Sequence, residues 1–225
     1  VRVILPPAEQ LSRAVKERVA KGRYLHSEGV RDTAVLLAGK YGCDTKKAGT
    51  AAILHDVARD LPLQMMQRIA LMSCNVKTNQ KAEMTSGLFT AQRVIGKDHS
   101  ITVNDTEAVF QSSGLLHAYA GRVIACRDFG ISDEEVLRSI ELHTTGAAGM
   151  SILDKVVFVA DYIEPNRSFR GVQTARKIAK RNLDETVLYI FSAMLRTLVQ
   201  RKTYVCSNTL LGYNELIRYR VGCTF

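Results

Sequence analysis

Residues 44–62 read DTKKAGTAAILHDVARDLP, and the way this stretch folds decides the architecture. Asp44 or Thr45 can cap a helix and Pro62 closes the segment, so the spacing predicts a helix running to Asp60. Its inward positions are small. His55 shares a face with Ala48 and Ala51, and Asp56 follows Ala52 by one turn, so an imidazole and a carboxylate point toward places with room for something else.

Helical spacing continues in both directions, and the β-branched alternation of strands is scarce. Upstream, Leu11, Val15 and Val19 line a first helix that stops near Gly22, and a second runs from about Arg23 to Tyr41 and stops at Gly42. Within it, His26 shares the inward stripe of Val30, Ala34 and Leu37. Downstream, residues 63–72 predict a short helix, whereas 73–113 are polar and mixed, an insertion-like segment whose His99 reads as a surface residue. Leu115 to Phe129 form the next helix, ended by Gly130, with His117 on the stripe of Gly121 and Ile124. Ser132 and Glu135 make a capping-box pattern for a helix ending at His143, ahead of Thr144, Thr145 and Gly146. Ser151 and Asp154 repeat that signature before a helix terminated by Pro165, in which Asp161 is embedded in VVFVADYI. Helices over about Leu183 to Lys202 and Thr209 to Arg220 complete an all-α bundle, read as a single domain over 1–225.

Composition narrows the class. Hydrophobic residues at 46% and charged residues at 24% describe a globular chain, and the apolar runs around Val156 and Val187 are too short and too interrupted by charge to span a membrane. The opening VRVILPPAEQ lacks the pattern of a signal peptide, and five scattered cysteines without C-x-x-C spacing fit a reducing cytoplasm. The net charge of +9 is concentrated: residues 166–225 hold 11 Lys and Arg against 3 Asp and Glu, a basic region that could face nucleic acid, an anionic membrane or a small polyanion. Nucleic acid is the weaker partner for it, because Trp is absent and no nucleic-acid motif is present.

A single histidine on an apolar face is commonly a hydrogen-bonded core residue. Here His26, His55, Asp56 and Asp161 come from three inward helix faces, and an ionised carboxylate inside VVFVADYI is costly to bury without a cation. Two imidazoles and two carboxylates suit iron, manganese or zinc rather than calcium, as one or two ions. His117 and His143 fit the same pocket, as ligands of a second metal or as contacts to phosphate oxygens.

The ordered series LHSEGV, HDVARDLP, LLHAYAG, HTTG and MSILDKVVFVADYIEPNR, spanning residues 25–167, resembles the HD-domain metal-dependent phosphohydrolases and, within them, the bacterial symmetrical diadenosine tetraphosphate hydrolases. The resemblance implies an HD-domain helical bundle with His26, His55, Asp56 and Asp161 as metal ligands and iron as the usual metal. It implies nucleotide contacts from Arg59, His117, His143 with Thr144, and Arg167. The segment Tyr204 to Thr209, with Tyr204, Ser207, Asn208 and Thr209, takes the place of a stretch that closes over the nucleotide. Asp56 or Asp60 would orient the attacking water, and the products would be two ADP. Other readings remain open: another nucleotide phosphohydrolase or phosphodiesterase acting on a nucleoside triphosphate or guanosine polyphosphate, or a non-catalytic basic RNA-binding module. A homodimer is likewise left open.

Overall fold

A computed structural model describes residues 5–72 and 105–221, and among these there are helices and no strands. In chain order they are α1 (Ala8–Arg18), α2 (Lys21–Tyr41), α3 (Thr45–Leu54), α4 (Leu63–Ala70), α5 (Thr106–Phe110), α6 (Ser113–Arg127), α7 (Glu134–Leu142), α8 (Ile152–Ile163), α9 (Val172–Ala179), α10 (Leu183–Gln200) and α11 (Ser207–Val221). His99 and most of the insertion-like segment lie outside the described residues.

The centre is α8. Leu153, Val156, Val157, Phe158, Val159, Ala160 and Ile163 bury it on nearly every side, and it packs against α2, α3, α7, α9 and α10. Alanines on α3 let α2 and α8 approach it, since Ala48, Ala51 and Ala52 are all fully buried. A second core gathers Val57, Ala58, Met66, Ala70, Val109, Phe110, Leu116 and Tyr119 beneath α4, α5 and α6. Leu54 belongs to the first core and Val57 to the second, so His55–Asp56 sits where the two meet. The last part of the insertion-like segment is therefore core: Val109 is wholly buried and α5 packs on α6.

Several boundaries differ from expectation, for physical reasons. The helix expected to reach Asp60 ends at Leu54, because His55 Nδ1 donates to the Ala52 carbonyl at 2.6 Å and competes with the backbone bond due there. The chain then tightens into turns, with Val57 N, Arg59 N and Leu61 N each bonding three residues back. The cap of α7 is Asp133, which accepts from Glu135 N and Val136 N, rather than Ser132. The capping box of Ser151 and Asp154 is present as read. Helix α9 went unpredicted; it is short, amphipathic and started by Gly171 at φ 95°.

Candidate metal centre

Four imidazoles meet at the junction of the two cores, each with Nδ1 against an oxygen. His55 and His143, each directly after the end of its helix, turn Nδ1 back to the carbonyls of Ala52 and Ile140, both at 2.6 Å. His117 Nδ1 faces the Ser113 carbonyl at 3.2 Å, and His26 Nδ1 faces Glu164 Oε1 at 3.2 Å. For His26, His55 and His143 such partners place the ring proton on Nδ1 and leave the Nε2 lone pair pointing at the centre. Nε2 of His26 and His55 stand 3.3 Å apart, and those of His117 and His143 3.1 Å apart. Lone pairs that face each other this closely are relieved by a proton or a metal ion between them.

The donor spacing fits a metal. Four donors at about 2.1 Å from one ion stand about 3.4 Å from each other in a tetrahedral set. Around Nε2 of His26, distances are 3.3 Å to His55 Nε2, 3.0 Å to Asp161 Oδ1 and 3.8 Å to Asp56 Oδ2. From His55 Nε2 they are 3.8 Å to Asp161 Oδ1 and 3.6 Å to Asp56 Oδ2. The other oxygen of Asp56 faces the opposite way, with Oδ1 3.2 Å from His117 Nε2 and 3.6 Å from His143 Nε2. Asp56 thus divides its two oxygens between two histidine pairs, an arrangement that can hold one ion on each side.

Electrostatics agree with the geometry. Burial lowers His55 to about 4, and burial likewise lowers His117, so both are neutral near pH 7 and ready to donate a lone pair. For Asp56 burial opposes ionisation, but His55, His117 and His143 crowded around it outweigh that and hold it well below the usual carboxylate range. Asp161 is held low in the same way, against its burial, by His26, His55 and Arg167.

Sequence reading missed three supporting groups. Glu164 is almost wholly buried behind His26; beyond the imidazole, its Oε2 accepts from Asn166 N at 2.7 Å. Arg23 Nη1 donates to Asp56 Oδ2 at 2.7 Å. Asp105 is fully buried and gathers Tyr204 Oη, Ser207 N at 3.0 Å and Ser207 Oγ at 3.2 Å.

The remaining expected residues divide. Arg167 lies at the centre, with Nη2 2.6 Å from Asp161 Oδ1 and Nε 3.1 Å from the Asp161 carbonyl. Arg59 borders the other side, 3.2 Å from His117 Nδ1 and 3.0 Å from the Ser113 carbonyl. Thr144 Oγ1 stands 3.1 Å from His143 Nε2. Asp60 is displaced from the role expected of it, since its carboxylate accepts from Ala20 N at 3.0 Å and faces Arg23 Nε at 3.4 Å, one guanidinium removed from Asp56. Asn208 and Thr209 are buried, and Thr209 Oγ1 donates to the Thr145 carbonyl at 2.9 Å. With Tyr204 and Ser207 engaged by Asp105, this segment builds the wall behind His143 and Thr144 instead of reaching the cluster. A separate cleft of about 620 Å³ contains none of the cluster's residues, and Asp184, Glu185 and Glu215 on its wall disfavour a polyphosphate.

Residues 23–166, which carry every candidate metal ligand named above, match the model of the HD domain family. The chain belongs to the HD domain family. As an HD protein it is a metal-dependent phosphohydrolase. Among its relatives, it is 34% identical over 209 residues to the symmetrical bis(5'-nucleosyl)-tetraphosphatase of Bacillus subtilis, covering 93% of this chain and 97% of that protein. The protein of that name from Staphylococcus aureus is 32% identical, with 90% of each chain covered. A crystal structure from Clostridium acetobutylicum, described as a predicted HD superfamily hydrolase involved in NAD metabolism, superposes with a TM-score of 0.75 at 33% identity, covering 96% of this chain and 100% of that one. No helix among the described residues is long and apolar enough to cross a membrane.

Proposed function

We propose that the chain hydrolyses diadenosine tetraphosphate symmetrically, adding water across the central phosphoanhydride to release two ADP. The observation that carries this reading is the division of Asp56 between two histidine pairs, each with its Nε2 atoms turned inward. The names of the relatives in Bacillus subtilis and Staphylococcus aureus supply the substrate class. One donor set is His26, His55, Asp56 and Asp161, and the other is Asp56, His117 and His143, for iron or the manganese and zinc that also suit mixed nitrogen and oxygen donors. When bound, ions there polarise phosphoanhydride oxygens and lower the pKa of water toward about 7.

The chain's own residues do the rest. Arg167 on the Asp161 side and Arg59 on the His117 side bracket an extended polyphosphate and offset its charge. Thr144 presents its hydroxyl between His143 and His117 to a phosphoryl oxygen. Glu164 and the Ala52, Ile140 and Ser113 carbonyls fix the imidazoles against rotation. One P–O bond forms to water, the central bridging P–O bond breaks, and the released proton passes to solvent. The cytoplasm is the proposed location, supported by Cys43 and Cys206 as free thiols.

The test is product analysis. Metal-loaded full-length protein is incubated with diadenosine tetraphosphate and the nucleotides are separated by ion exchange. Two ADP per dinucleotide is the expected result; ATP with AMP, or no turnover, overturns the assignment.

A further inference from the structure

Beyond Ile163 the chain turns back on itself, so that Arg167 reaches Asp161. Two residues later Phe169 stands with 40% of its surface exposed, its ring edge-to-face on Tyr162 with centroids 4.8 Å apart and planes at 78°. Tyr162 directly follows Asp161 in α8. Two residues of chain span at most about 7 Å, so this exposed ring is tied closely both to Arg167 and to the metal-facing carboxylate.

The loop that carries it is fixed. Arg176 donates to the carbonyls of Ile163 at 2.8 Å, Glu164 at 2.6 Å and Arg167 at 2.9 Å. Val172 N bonds back to the Phe169 carbonyl at 3.2 Å, and Tyr189 Oη bonds the Gly171 carbonyl at 3.2 Å. A large apolar ring held in water by a pinned loop, with its edge-to-face partner behind it, has not been allowed to collapse onto the core. Leu25 of α2 is a second large apolar side chain left half exposed. It lies one turn before Gly29 on the same face of α2, and a Cβ added at Gly29 would meet Glu164 Oε2 at 2.7 Å and Asn166 Nδ2 at 3.4 Å.

We infer that the exposed face of Phe169 is the platform on which one adenine of the substrate stacks while Arg167 takes the adjoining phosphates. The inference rests on the nucleotide reading above and assigns a specificity-determining residue to it. A planar purine covers an aromatic ring without a hydrogen-bond code, and an adjacent guanidinium suits the phosphate end of the same nucleotide.

The chain has no Trp, so Phe169→Trp installs a single indole at this position. Titrating the metal-loaded Phe169→Trp protein with ADP should quench its fluorescence saturably, while ribose 5-phosphate and pyrophosphate, which lack the base, should not. Phe169→Ala should raise KM for the dinucleotide by about 5- to 150-fold, the range of one base–aromatic stack, with kcat little changed. Phe169→Tyr should restore KM, and inorganic tetraphosphate should inhibit wild type and Phe169→Ala equally. An indole that ADP leaves unquenched, or an unchanged KM in Phe169→Ala, overturns the stacking site even if the wild type releases two ADP. Quenching by ADP in a protein whose wild type leaves the dinucleotide intact instead overturns the proposed reaction and keeps the base site.

Discussion

Replacing Glu164 by Gln removes one acceptor and introduces one donor where the structure has room for neither change. Oε1 accepts from His26 Nδ1 at 3.2 Å and Oε2 from Asn166 N at 2.7 Å, and the residue is only 2% exposed. An amide has a single oxygen, so its NH₂ must face either the imidazole N–H or the backbone N–H. A buried donor left without an acceptor costs about 1–3 kcal/mol, or about 2–4 °C of Tm for each kcal/mol in a chain of this size. The larger effect falls on the metal. Loss of the carboxylate behind a ligating imidazole typically weakens affinity about 10- to 100-fold, roughly 1.4–2.7 kcal/mol. The assay is calorimetric titration of metal-stripped Glu164→Gln and wild type with Mn²⁺, alongside thermal melts. Affinity within about twofold of wild type, in a variant that melts lower, would refute a role for Glu164 in orienting His26 and leave it a structural group only.

Further outcomes test other parts of the site. Asp60→Asn should keep kcat within about threefold of wild type, because Asp60 reaches Asp56 only through Arg23, whereas Asp56→Asn should lose activity; equal losses measured in parallel assays would restore Asp60 as the water-orienting carboxylate. Arg167→Lys should lower kcat/KM by roughly 10- to 100-fold, since one ammonium cannot make both bonds to Asp161 and also face phosphate; steady-state kinetics at saturating metal decide it. Metal affinity should fall as pH drops. Burial opposes charge on His26, but the hydrogen bond and charge of Asp161 and the hydrogen bond of Glu164 outweigh it and raise the pKa, so a proton competes with the metal there by about tenfold per pH unit below that value. His55, lowered to about 4, competes only near that pH. The sign reverses for the metal-stripped fold: the His26 proton stabilises it below the unfolded-state pKa, and that contribution is lost as pH rises through the raised folded value, a trend pH-dependent melts would show.

The candidate ligands His26, His55, Asp56 and Asp161 were legible in the sequence because helical spacing puts polar residues at inward positions where they are anomalous, and the structure brings them together with His117 and His143 in one cluster. Their supports were hidden for the opposite reason. Glu164 lies past the end of α8 beside a proline and reads as a surface acid; only the fold puts it behind a histidine 138 positions away. Arg23 looks like an ordinary solvated cation in the first turn of α2, and Asp105 sits in a stretch without periodicity, so no local pattern marks either as buried business of the site. The early end of α3 was unreadable because the competing bond comes from the His55 side chain itself, which helix periodicity does not register. Ser132 and Asp133 are both good caps one position apart, and backbone geometry chose between them.

If Asp56 joins two metal sites, the number of ions held per chain depends on it. Metal analysis by mass spectrometry on purified, metal-loaded protein should give about two ions per chain for wild type, and Asp56→Ala, which strips one oxygen from each donor set, should fall well below one. A folded Asp56→Ala chain that retains the wild-type complement would rule out Asp56 as the shared ligand.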